Sequence, residues 1–181
     1  MNDSLNHILC SAEDTVIDAI CGAENVEEPI AFTVGIAARS MMERQEMNEK
    51  AVICHLAPMI CRSMEWAVEE GKNLRPIFKG YMKGLLTSCQ NSSRDPLIVI
   101  WYLSKLSVKA VFLYGGNIRD VIKGLTEAFW EVDRIRNPRI TFFEAFVTFE
   151  MVCLLAVSDG DAGAVLEARK VLDEVKKEYE L

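Results

Sequence analysis

Five cations recur at helical spacing in the middle of the chain. Arg75, Lys79 and Lys83 stand four residues apart, and Arg119 and Lys123 repeat that spacing 44 residues later. On a helix, residues four apart share a face, so each set forms a stripe, and like charges so placed repel by ~0.2–0.5 kcal/mol per pair. Such a stripe needs counter-charge. Acidic helices of the same chain would supply it, or else an anionic ligand such as a phosphate-bearing molecule or an acidic protein. These five residues are the candidate anion- or partner-binding set.

Carboxylates offer a second chemistry. Glu43 and Glu46 form an E-x-x-E, and Glu127, Glu131 and Asp133 follow on a later helix. Paired acids on facing helices can hold Mg²⁺ for phosphate chemistry, so Glu43, Glu46, Glu127 and Glu131 make a candidate metal set. The first half resembles the acid pair of all-α nucleotide pyrophosphatases. Their second half, an E-x-x-D, is missing from this chain. A solvated acidic face is the simpler reading of these residues.

Other sites have little to build on. His7 and His55 are the two histidines, neither follows a glutamate by three, and no serine or cysteine lies in a nucleophile elbow. The phosphate-cradling loops G-x-x-x-x-G-K-[ST] and G-x-G-x-x-G are absent. His7 with Cys10, and Cys54, His55 and Cys61, fall short of the four close ligands of a structural zinc site. Without a C-x-x-C, the six cysteines read as small hydrophobes buried in helices. No cofactor is implied.

The elements that must position these residues are helical. Apolar residues recur every three or four positions and nowhere alternate for long. The pattern predicts helices near 4–22, 28–47, 50–70, 74–90, 96–114, 118–135, 142–158 and 162–179. Asp95 is placed to cap a helix opening at Pro96. Thr141 and Glu144 fit a capping box. Pro58 falls inside the third helix, where it should bend it. The last helix gathers Val165, Ala168, Val171, Leu172, Val175 and Tyr179 on one face. The late aromatic residues should pack the fifth, sixth and seventh helices together, and adjacency of Phe142 and Phe143 turns one of that pair toward the surface.

The chain also resembles itself. NLRPIFKG at 73–80 matches NIRDVIKG at 117–124, and a further shift of 44 aligns Gly116-Asn117 with Gly160-Asp161. Glycine ends a first helix, and Asn25, Asn73, Asn117 or Asp161 caps a second. The expected fold is all-α: one domain over 1–181, about eight helices as four antiparallel αα-hairpins, forming a repeat array or a compact bundle. The period is similar to that of HEAT-type repeats in length alone.

Bulk properties narrow the function. Net charge is −7, without the basic footprint of a nucleic-acid binder. The most apolar stretch, 97–114, is interrupted by Ser104, Lys105, Ser107 and Lys109, so no membrane span is expected. MNDSLNHILC lacks a signal-peptide pattern, pointing to the cytoplasm. Half the residues are apolar, more than four helix pairs need internally. The expected function is a non-enzymatic interaction protein acting through a protein partner or as a homo-oligomer, a dimer first. The alternatives are a metal-dependent enzyme acting on a phosphate-containing small molecule, and a nucleic-acid complex subunit docking through the basic face.

Overall fold

The computed structural model describes residues 2–44, 46–133, 140–158 and 162–181. Among them are eight helices and no strand: α1 (Asn2–Gly22), α2 (Glu27–Arg44), α3 (Glu49–Glu69), α4 (Leu74–Asn91), α5 (Pro96–Tyr114), α6 (Ile118–Asp133), α7 (Phe142–Val157) and α8 (Ala162–Glu178). Their ends follow local chemistry. The Asp95 side chain accepts from the Leu97 N–H at 2.9 Å, with Pro96 in the first turn. Asn73 and Asn117 accept from the N–H of Arg75 and Arg119, each at 2.9 Å. Thr141 and Glu144 close the expected capping box. Gly115 takes the left-handed conformation that ends α5 (φ 74°), which a side chain would strain.

Two local expectations are corrected. Val26, not Asn25, precedes α2. That helix also stops short of residue 47, because Glu46 is left-handed (φ 51°) and Asn48 already caps α3 by accepting from Ala51 N–H at 2.9 Å. Pro58 lies inside α3, as its position predicts, and the helix continues past it to Glu69. The proposed Gly160 and Asp161 caps, and the Asp133 side chain, lie outside the described residues.

The helices pack in two rows. In one, α2 lies on α4, α4 on α6 and α6 on α8; in the other, α1 lies on α3, α3 on α5 and α5 on α7. Consecutive helices link the rows. By length and mean hydropathy α5 is apolar enough to cross a membrane; here it packs against α3, α4, α6 and α7.

Core residues fill the space between rows, with Ile30, Met41, Leu56, Ile60, Phe78, Tyr81 and Phe149 fully buried. The buried Tyr81 hydroxyl shares a 2.7 Å hydrogen bond with Ser63 Oγ, which removes the cost of an unpaired hydroxyl. Aromatic packing joins α6 and α7 as expected and extends to Tyr179 just after α8, but among the described residues the ring contacts include none of the α5 aromatics. Phe129 meets Phe149 edge-on at 5.5 Å, and Trp130 meets Phe142 at 5.1 Å and Tyr179 at 5.2 Å.

Within the even-numbered row, helices approach unusually closely, and glycine is the reason. A Cβ at Gly80 would lie 2.8 Å from the Glu27 carbonyl oxygen, one at Gly84 would collide with that of Ala31, and one at Gly124 with that of Arg75. Gly80 and Gly124 are the matching final residues of the two similar octapeptides. Both set the first turn of the preceding helix in the row directly against a side-chain-free backbone.

Candidate interaction surface

The five cations of the stripe are each matched by a carboxylate on a neighbouring helix. Lys79 Nζ lies 2.8 Å from Glu27 on α2 and 2.5 Å from Glu131 on α6. Lys83 Nζ lies 2.9 Å from Glu27, 2.6 Å from Glu28 and 3.3 Å from Glu131. Arg75 pairs with Glu127, and one row position further along Arg119 pairs with Glu174 on α8. Lys123 reaches Glu178 at 3.2 Å. The pattern is a ladder, with bases of α4 on acids of α2 and α6, and bases of α6 on acids of α8.

Electrostatics follow that geometry. Burial alone would raise the Glu27 carboxyl, but the Lys79 and Lys83 ammoniums hold it below its ordinary 4.5. Burial alone would lower the two lysines, and the same carboxylates hold both above their ordinary 10.5. The stripe is an internal brace, since its counter-charge comes from the chain itself. Glu27, Glu28, Glu174 and Glu178 were not picked out from sequence, because they lie about 50 residues from their partners.

The metal-candidate acids are not brought together. Glu131 reaches the same lysines as Glu27, at the start of α2, whereas Glu43 sits 16 residues further along that helix, ~24 Å away by helical rise. Glu43 pairs with Arg39 at 2.8 Å, Glu46 lies in the following loop, and Glu127 is held by Arg75. Among the described residues no three His, Cys, Asp or Glu side chains are grouped to hold a metal ion.

The cysteines depart from expectation. Cys89 and Cys153 are buried, but Cys10, Cys21 and Cys54 are exposed and Cys61 is half-buried. The exposed three fall on solvent-facing positions of α1 and α3, Cys54 at the groove between α3 and α5. Burial pushes the Cys89 and Cys153 thiols up to about 12.

Several grooves indent the surface of the described residues. One, of about 290 Å³, lies between α2 and α4 beside the exposed Phe32 and Ile36. Another, of about 220 Å³, separates α1 from α2. A third, of about 310 Å³, runs between α3 and α5 past Tyr102, Lys105 and Lys109.

The most extended apolar exposure belongs to α7. Phe143, Val147, Met151 and Leu155 repeat every four residues and are 61, 46, 49 and 54 % exposed. Phe142, by contrast, is buried, so the adjacent pair divides as expected. The contrast with α5 is informative. Aligned on their first residues, Pro96 and Phe142, the two helices bury matching positions: Ile100 with Phe146, Leu103 with Phe149, and Val111 with Val157. On that alignment Met151 and Leu155 stand where α5 carries Lys105 and Lys109. Sequence reasoning missed this stripe, although its i, i+4, i+8 spacing in a helix with only two acids was a visible signal.

Comparison of the chain with protein-family models, curated proteins and solved structures finds no match in any of the three.

Proposed function

We propose that this chain is a non-enzymatic helical scaffold that works by docking a protein surface against α7. In this reading its eight helices act as four antiparallel pairs of a repeat of about 44 residues. Recurrence of the asparagine caps, of the glycine contacts at Gly80 and Gly124, and of the base-on-acid ladder supports that arrangement.

The α7 stripe carries the proposal. Exposed apolar side chains are common singly, whereas a contiguous patch of several hundred Å² on a protein surface is characteristic of an interface. The other candidate surface argues less, because every cation of the basic stripe already has an acidic partner. Adaptable Met151 and flat, rigid Phe143 are side chains that interfaces favour.

A photo-crosslinking residue placed at Val147 tests the reading in an extract of cells that express the chain. Covalent adducts to protein should form there in clear excess over the same residue at the exposed Asp14 of α1. Equal yields at the two positions would remove α7 as the docking face.

A further inference from the structure

We propose that the occupant of the α7 face is a second copy of this chain, docked α7 against α7 about a two-fold axis. The inference rests on the reading of α7 as an interaction face and names its partner.

Area favours it. Large apolar side chains present ~150–250 Å² when fully exposed, so the exposed fractions of Phe143, Val147, Met151 and Leu155 amount to on the order of 400 Å². A stable interface buries ~800 Å² per partner, somewhat over half of it non-polar. The stripe therefore supplies the apolar centre of one standard interface on each copy.

Charge points the same way. The charged side chains on α7 are Glu144 and Glu150, and both are already engaged. Glu144 accepts from the Thr141 N–H at 2.9 Å, and Glu150 pairs with Lys176 at 2.5 Å. The stripe thus asks for an apolar complement and not for a basic one. With the helices antiparallel and the axis beside Phe149, Phe143 lies opposite Leu155 of the other copy and Val147 opposite Met151. Glu144 then faces Leu154 and Glu150 faces Thr148, so no like charges are opposed.

The opposite end of the same row does not match the α7 stripe. The exposed side of α1 carries Asn6, Cys10, Asp14 and Asp18, while His7, Ser11 and Thr15 line the groove toward α2. None of the large apolar side chains of α1 is exposed to match the α7 stripe, so head-to-tail growth through this end is disfavoured and an isologous pair is favoured.

Light scattering on a sizing column, in reductant and at low and moderate salt, decides this. The purified chain should show twice its 20.4 kDa mass at both salts. Val147→Glu and Met151→Glu should each give the single-chain mass with unchanged helical circular dichroism, while Thr15→Glu stays paired. Independently of any variant's folding, a crosslinker at Val147 in the purified protein should map to α7 of the other copy. A dimer that survives both α7 variants, or an open-ended oligomer, overturns the proposal. So does a wild-type monomer at on the order of 100 μM, far above the dissociation constants of interfaces this size. In that last case, adducts from Val147 to other proteins in extract would leave the scaffold reading standing, and their absence would remove both.

Discussion

Gly124 occupies the middle of α6, where glycine costs ~0.5–1 kcal/mol relative to alanine, yet the Arg75 carbonyl leaves no room for a Cβ. The tertiary contact outweighs the helical preference, because alanine would force two helices apart. Gly124→Ala should destabilise the fold by ~1–3 kcal/mol, the usual cost of overpacking. Thermal denaturation would show it as a Tm lower by ~3–10 °C. Gly22→Ala, whose Cβ would meet nothing, should leave Tm unchanged or raise it. A thiol titration makes a second residue-scale check. In the native protein Cys10, Cys21 and Cys54 should react quickly with a disulfide reagent, and Cys89 and Cys153 only on unfolding. Thiolate is the reacting form, and burial keeps those two protonated. Sequence periodicity could not have separated the two groups, because cysteine is tolerated on either face of a helix.

Across elements, Lys79 joins three helices through one ammonium: its own α4, α2 through Glu27 and α6 through Glu131. Lys79→Met should cost ~1–3 kcal/mol at neutral pH, the range for hydrogen bonds to charged groups, as read from urea unfolding. The pH dependence has a definite sign. Glu27 is held below its ordinary 4.5, so its contribution is present above that value and is lost as pH falls through the depressed one. Lys79 and Lys83 are held above 10.5, so theirs persists below 10.5 and is lost as pH rises through the raised values. The difference between wild type and Lys79→Met should therefore shrink in acid; a difference that stays constant as the carboxyls take up protons would assign the loss to packing instead. Element by element, the helices were legible because caps and breaks are local: Asp95-Pro96, Thr141 with Glu144, and Asn73 and Asn117 act within four residues. The ladder was not, because pairing Arg75 with Glu127 depends on which helices become neighbours.

At the scale of the molecule, α4 lies inside its row and α1 at the end of the other. Hydrogen exchange should follow that position. Amides of α4 around Phe78, Tyr81 and Leu85, all fully buried, should exchange last, near the global unfolding limit. Those of α1 should exchange first, through local opening. Equal protection along the chain would mean that all eight helices open as a single unit. The all-helical class could be read from the sequence, since the 3.6-residue period runs from end to end. The α7 face could not be read with the same ease. A helix apolar on most sides looks the same in sequence whether its last side meets the core or water. The glycines of α4 carry one more consequence. Gly80 and Gly84 let that helix nest against α2, but each lowers its intrinsic helicity by ~1 kcal/mol. A helix of 18 residues is marginal alone even with the best residues. The most deeply enclosed helix is therefore among the least able to form by itself. It takes shape on a template provided by its neighbours, and a fragment cut away from α2 and α6 would leave it as coil.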